Sequence, residues 1–188
     1  MQRNISREQA LKLLNEKLTN KNLVKHSLAV EAVMRDLANH FDEDQNIWGT
    51  SGLLHDLDYE VTVDDWTKHG VITEEWLRKF DIPGEIFDII KAHNADALGI
   101  ECKTNAEKAI YAVDPVTGLI TAAALMIPSK KINELTTHSV IKKFKNKKFA
   151  AGASREHIAS CDSIGLSLEE FLDISLKAMQ KTDKELGL

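Results

Sequence analysis

The chain is poor in the residues that interrupt helices, with only three prolines and nine glycines in 188 residues. Segments of alternating β-branched residues are also scarce, so no stretch clearly predicts a strand. Leu, Ala, Lys, Glu and Ile dominate instead, and most of these residues favour helices. The two cysteines, Cys102 and Cys161, are too few for a disulfide framework, which fits a reducing compartment. Together these absences predict an all-α protein.

The chain also lacks an excess of basic charge, a secretory signal and a long apolar run. Its 24 basic and 29 acidic residues give a net charge of −5, which argues against a general nucleic-acid-binding protein. The first 18 residues are charged throughout, and the apolar run LITAAALMI is much shorter than a membrane span. We therefore expect a cytoplasmic protein without stable nucleic-acid or membrane partners. No pattern predicts its oligomeric state.

Several sequence motifs for catalysis and nucleotide binding are absent. There is no Gly-x-Ser-x-Gly elbow for a nucleophilic serine, no phosphate-binding loop and no dinucleotide-binding glycine pattern. The two cysteines are expected to be core or partly exposed thiols. Any chemistry must therefore come from other side chains.

Hydrophobic periodicity and capping residues predict a series of helices, over residues 7–18, 22–41, 42–57, 64–80 and 83–94. A long apolar helix is predicted over 103–128, interrupted at Asp114-Pro115 and closed by Pro128. A final amphipathic helix is predicted over 167–184. We expect one domain over 1–188, with a helical core at about 20–125 and a C-terminal helical extension at about 129–188.

Histidine and aspartate recur on the apolar or terminal sides of five consecutive predicted helices. The residues are His26, His55, Asp56, His69, His93 and Asp114. Imidazole and carboxylate groups together are ligands of divalent transition metals, and an unpaired carboxylate is costly to bury. A metal centre would therefore explain why polar residues interrupt the apolar run Leu53-Leu54.

The adjacent pair His55-Asp56 limits the possible geometry of such a centre. Neighbours on a helix point about 100° apart, so the two side chains cannot lie side by side. Both can reach one centre near a helix end, or Asp56 can bridge two ions with one oxygen on each. His26, His55, Asp56 and Asp114 would then complete the protein ligands of one ion. His69 and His93 would hold the second ion, with Asp56 shared.

The ordered pattern His…His-Asp…His…His…Asp resembles the HD-domain superfamily of metal-dependent phosphohydrolases. The matching segments include KHSLAV around His26 and LLHD ending at Asp56, and the resemblance covers about residues 20–125. It implies an HD-domain-like helical bundle with additional C-terminal helices. Members with both middle histidines, here His69 and His93, usually hold two metals. Some of these members have a histidine pair where this chain has His93-Asn94.

The resemblance implies hydrolysis of a phosphoester, often of a nucleotide. The Gly-Tyr-Pro motif of cyclic-dinucleotide phosphodiesterases does not follow HDLDYE, which argues against cyclic-di-GMP as the substrate. We expect two divalent ions, chosen from Mn, Fe, Co, Ni or Zn, to activate a bridging hydroxide that attacks phosphorus. Asp56 and Asp114 are the predicted catalytic residues: Asp56 holds the ions together, and Asp114 is a ligand and a candidate for orienting the water.

Two alternatives remain open at this level. Some HD-like proteins, such as myo-inositol oxygenase, use a similar ligand set to hold mixed-valent di-iron that activates oxygen. A metal-stabilised nucleotide-binding regulatory module without catalysis is the other alternative, although the complete ligand set argues against it.

Basic residues outside the pattern are candidates for binding a substrate phosphate. Arg155 is attractive because its planar guanidinium can hold phosphate with two hydrogen bonds, and Lys130 and Lys131 are further candidates. The lysines of IKKFKNKKF are expected to be a solvated helix end. No residue is singled out as the proton donor to the leaving group, although Asp58, Glu60 and Lys68 are close in sequence. His40, His138 and His157 are expected to be surface or capping residues.

Overall fold

The computed structural model describes residues 5–188, and no strand occurs in that part of the chain. The first four residues of the predicted domain lie outside this range. Twelve α-helices occur between residues 5 and 188. In chain order they are α1 (Arg7–Lys17), α2 (Lys21–His40), α3 (Gln45–Leu54), α4 (Tyr59–Thr62), α5 (Val71–Leu77), α6 (Gly84–Ala92), α7 (Ala95–Leu98), α8 (Asn105–Met126), α9 (Thr137–Lys145), α10 (Arg155–Ala159), α11 (Leu168–Lys181) and α12 (Asp183–Leu186). Three short 3₁₀ helices lie between them, at Trp66–Lys68, Ile132–Glu134 and Ser160–Ile164. The all-α prediction is confirmed.

The helix starts follow local capping chemistry. Ser6 caps α1 and Ser167 caps α11, each in a capping box with the residue three positions later. Asp44 caps α3 by accepting hydrogen bonds from two backbone N–H groups, and Thr104 caps α8. These starts could be predicted from sequence because a cap involves only neighbouring residues.

The prediction of one continuous helix over 64–80 is wrong. Asp65 caps only the short 3₁₀ helix Trp66–Lys68, and α5 begins at Val71. Between them, His69 is extended and Gly70 has φ of 85°, a left-handed conformation that favours glycine. The third predicted helix is also shorter than expected, because α3 ends at Leu54.

The interruption predicted at Asp114-Pro115 is also wrong, because α8 runs unbroken from Asn105 to Met126 with Pro115 inside it. The side chains of Val113 and Val116 on either side of this pair are fully buried. Packing of this apolar helix holds it together across the proline, although proline cannot donate the helical hydrogen bond to the Tyr111 carbonyl.

Helices α2, α3, α6 and α8 pack against one another and form the core. Helix α11 packs across α2 and α8, and α9 and α10 pack on α8, so the C-terminal helices cover the same core. By length and composition, α8 is the one helix within 5–188 that could cross a membrane. However, 56% of its most apolar window is buried in the protein, as is usual for a core helix.

Candidate metal centre

Six His and Asp side chains converge on one cavity among α2, α3, α6 and α8. His26 lies on α2 and Asp114 lies in the middle of α8, while His93 directly follows α6. The pair His55-Asp56 occupies the turn after α3, and His69 lies in the break before α5. A cavity of about 350 Å³ is lined by His26, Asp56, His69, His93 and Asp114, together with Leu23, Tyr59, Trp66 and Asn94. The structure thus brings together the residues that the sequence predicted as metal ligands.

The six side chains form two groups of three, each suited to one cation. The first group is His26, His55 and Asp114, and the second is Asp56, His69 and His93. Within each group one potential donor atom per residue lies within 4.8 Å of the others. Such mixed imidazole and carboxylate groups fit divalent transition metals.

The Asp56 carboxylate lies between the two groups and faces both. Its Oδ1 is 3.1 Å from His69 Nε2 and 3.6 Å from His93 Nε2. Its Oδ2 is 3.6 Å from His26 Nε2 and 3.5 Å from His55 Nε2. One carboxylate therefore presents one oxygen to each group, which is the arrangement needed to bridge two ions.

Two of the histidines are oriented by backbone carbonyl groups. His55 Nδ1 is 2.7 Å from the carbonyl oxygen of Gly52, and His93 Nδ1 contacts the carbonyl oxygen of Ile90. Since a carbonyl oxygen can only accept a hydrogen bond, each Nδ1 must carry the proton. The lone pair of the neutral ring is then on Nε2, which faces the centre.

The other two histidines are oriented by side chains. The fully buried Asp58 accepts a hydrogen bond from His69 Nδ1 at 2.8 Å. The Thr117 hydroxyl donates to the Asp114 carbonyl, so at 3.1 Å it accepts from His26 Nδ1. Partners of this kind on the outer nitrogen hold a histidine ready to ligate through its other nitrogen.

Two features of the inner nitrogen atoms favour a bound cation. His55 Nε2 is buried without a hydrogen-bond partner among residues 5–188. His69 Nε2 and His93 Nε2 lie 2.8 Å apart, a distance at which two nitrogen lone pairs repel each other unless a proton or a cation separates them. A cation near these atoms would satisfy both features, so the residues present fit a metal centre.

Burial and neighbouring charges shift the pKa values of three side chains in the site. Burial alone would lower the pKa of His69, but hydrogen bonds to Asp56 and Asp58 raise it to about 9. Burial and the neighbouring His55 and His69 lower the pKa of His93 to about 4. Burial opposes ionisation of Asp56, yet the surrounding imidazoles hold its pKa well below the usual range. Without a metal, His69 in the group of Asp56, His69 and His93 therefore keeps a proton. A bound cation would replace that proton.

Asp58 and Asn94 position the His69 segment, a role that was not predicted from the sequence. Besides His69, Asp58 accepts hydrogen bonds from the backbone N–H groups of Gly70 and Thr73, both at 2.9 Å. The Asn94 side chain donates to the carbonyl oxygens of Trp66 and His69, at 2.7 and 3.1 Å. Both residues therefore hold the His69 segment in place. The only sequence signals were the second aspartate of HDLD and the asparagine after His93.

The three candidates for protonating a leaving group are engaged elsewhere. Asp58 is fully buried behind His69, and Lys68 pairs with Asp65 at 2.9 Å. Glu60 accepts hydrogen bonds from the backbone N–H groups of residues 19 and 20. None of the three is therefore supported as the proton donor.

Arg155 has a structural role rather than the phosphate-binding role expected from sequence. Its guanidinium donates to backbone carbonyl groups of the α9–α10 region, namely those of Lys143, Phe144, Asn146, Phe149, Ala150 and Ala153. All five of its N–H donors have carbonyl partners, so none is free to hold a phosphate.

Lys130 and Lys131 are exposed beyond the C-terminal end of α8. Asp114 lies 12 residues before the end of that helix, which corresponds to about 18 Å along its axis. Neither lysine lines the cavity of the metal centre, and their binding of a substrate phosphate stays a prediction. Lys142, Lys143 and Lys145 lie in the last turn of α9, as expected for a solvated helix end.

The fold and the site define an all-α protein with a candidate centre for two metal ions. The family model described as HD domain matches residues 23–119, more than half of the 188-residue chain. The chain therefore belongs to the HD-domain family. Proteins with this domain bind divalent metals and generally are hydrolases of the metal-dependent phosphohydrolase superfamily. No curated protein sequence and no solved structure matches the chain.

Proposed function

We propose that this protein is a metal-dependent phosphohydrolase that uses two divalent transition-metal ions bridged by Asp56. Its substrate is a nucleotide or a related small phosphorylated metabolite, hydrolysed in the cytoplasm without a nucleic-acid or membrane partner. The observation that supports this proposal best is the position of the Asp56 carboxylate, which presents one oxygen to each of two His/Asp groups.

The separate roles of the metal ions, Asp56 and Asp114 follow from burial and contacts. When bound, the two ions supply a water molecule of lowered pKa and positive charge that stabilises the phosphoryl oxygens. Asp56 is almost fully buried, so its role would be to hold the ions rather than to contact the substrate. The Asp114 side chain is 34% exposed and lines the cavity, which makes it the carboxylate of the site most accessible to the attacking water.

Metal analysis of purified variants tests the proposal directly. We expect about two transition-metal ions per chain in the wild type, about one in His69→Ala and fewer than two in Asp56→Ala. His138→Ala is the matched control, because His138 lies on α9 and belongs to neither donor group. The metal content of His138→Ala should equal that of the wild type.

Phosphate release from a panel of nucleotides and sugar phosphates provides the second measurement. Turnover that falls together with metal content in His69→Ala supports the hydrolase. A wild-type protein that binds no transition metal after anaerobic reconstitution would contradict the proposal. Oxygen consumption by an iron-loaded protein would indicate the di-iron oxygenase instead, and tight nucleotide binding without turnover would indicate a regulatory module.

A further inference from the structure

A second cavity opens directly beside the candidate metal centre. It has a volume of about 410 Å³ and lies between α2, α8 and the turn after α12, and we call it the α2–α8 groove. His26 lines both this groove and the metal cavity, so the two spaces meet at that side chain. Along α8 the groove runs from Gly118 past Ala122 to Leu125, which is about 10 Å along the helix axis.

The α2–α8 groove has the size and the lining of a binding site for a small organic molecule. Its volume is within the range of about 300–1,000 Å³ that is typical of such sites. Ala122, Leu125 and Leu186 contribute apolar surface, while Thr121 provides a hydroxyl group. Gly118 leaves the wall next to His26 open, because a Cβ atom there would meet nothing within 4 Å.

Among residues 5–188, Lys25 is the one lysine or arginine that lines the groove. It neighbours His26 on α2, and its Nζ lies 2.7 Å from the position that a Cβ atom on Gly187 would occupy. The ammonium group therefore reaches towards the turn opposite α2. Lys25 forms no ion pair with any residue of 5–188, so its charge is not neutralised within the groove; the paired lysines are Lys12, Lys68, Lys91, Lys177 and Lys181. An unpaired cation in a partly enclosed groove favours an anionic ligand.

We infer that the α2–α8 groove binds the organic part of the phosphorylated substrate, and that Lys25 recognises a second anionic group on it. This inference rests on the proposed function, because the scissile phosphate is assigned to the neighbouring metal centre. The substrate class is then a phosphate ester with another phosphate or carboxylate on its organic part. A simple monophosphate lacks the group that Lys25 recognises.

Calorimetric titration of the metal-loaded protein with three ligands tests the role of Lys25. The ligands are inorganic phosphate, adenosine 5′-monophosphate and adenosine 3′,5′-bisphosphate. Lys25→Gln is expected to weaken binding of the bisphosphate about tenfold, the usual effect of losing one charge-assisted hydrogen bond, with less than twofold change for the other two. Lys21→Gln is the matched control, because Lys21 lies on the same helix but does not line the groove.

Substitutions at Gly118 test whether the groove holds the organic part. Gly118→Leu would fill the groove and is expected to weaken binding of both nucleotides about tenfold, while binding of inorganic phosphate stays unchanged. Gly152→Leu is the control, since a Cβ atom there also meets nothing within 4 Å and Gly152 does not line the groove, so each dissociation constant should change less than twofold. Thermal unfolding of all variants shows whether the fold is retained.

Three results would overturn the inference. The first is equal affinity of the wild type for the two nucleotides, and the second is unchanged nucleotide binding in Gly118→Leu. The third is an equal loss for all three ligands in Lys25→Gln, which would place Lys25 on the scissile phosphate. Failure of the proposed function would look different, because the protein would bind no metal or release no phosphate, while the comparison of the two nucleotides, repeated without metal, still reports on the groove.

Discussion

Replacing Asp58 with asparagine is expected to weaken metal binding without unfolding the protein. In the structure, Asp58 Oδ1 accepts from His69 Nδ1, and Asp58 Oδ2 accepts from the N–H groups of Gly70 and Thr73. Asparagine has the same shape but only one acceptor oxygen. If that oxygen stays on the two backbone groups, the amide NH₂ faces His69 Nδ1 and forces it to become an acceptor. The proton of the neutral ring then moves to Nε2, where it blocks ligation.

The size of this effect follows from the contacts that change. Loss of a carboxylate partner behind a ligating histidine typically costs about 10-fold to 100-fold in metal affinity. Exchange of a charged for a neutral hydrogen-bond acceptor costs about 1–2 kcal/mol in unfolding free energy. The pKa of His69 should also fall below its value of about 9, because Asp58 is one of the two carboxylates that raise it.

Three measurements check the Asp58→Asn prediction. Competition with a chromophoric chelator gives the metal affinity, urea unfolding with the metal removed gives stability, and NMR titration follows the His69 ring. Asp64→Asn is the control, because Asp64 is exposed in the same loop. Wild-type affinity for both ions in Asp58→Asn, with an unchanged His69 titration, would refute the reasoning.

Three further predictions concern stability. Arg155→Ala should lower the unfolding free energy measured in urea by about 2–4 kcal/mol, because several carbonyl groups lose their hydrogen-bond donor. Its metal content should stay unchanged. Reduced metal content at full stability would contradict this prediction. Pro115→Ala should raise the unfolding free energy by about 1–3 kcal/mol, because alanine supplies the N–H that α8 lacks opposite the Tyr111 carbonyl. A lower melting temperature of the variant would contradict this prediction. Burial and hydrogen bonds to Asp96 raise the pKa of Tyr111 from 10.0 to about 12. The unfolding free energy that this pKa shift contributes is therefore fully present below about pH 10 and is lost as the pH rises towards 12. Unfolding curves of Tyr111→Phe measured across that range should lack this loss.

Much of the helical fold could be predicted because its signals are local. Ser6, Thr104 and Ser167 mark helix starts through bonds to residues three positions later. The errors occurred where tertiary packing overrides local preference. Proline normally interrupts a helix, yet α8 continues through Pro115 because buried residues on both sides hold it in the core. Conversely, the break at Gly70 depends on Asp58, twelve residues earlier in the chain.

The sequence by itself determined that the protein is helical. It also determined that six His and Asp residues recur in the order typical of HD domains. Both follow from the sequence because periodicity and residue order are properties of the chain alone. The division of these donors into two groups was one of two arrangements that the sequence left open. Only the tertiary structure decided between them, because the turn after α3 sets the direction of each Asp56 oxygen. It also decided the role of Arg155, whose carbonyl partners come together only when α9 and α10 pack. Similarly, the α2–α8 groove exists only because α2, α8 and the turn after α12 meet in space, which no local pattern encodes.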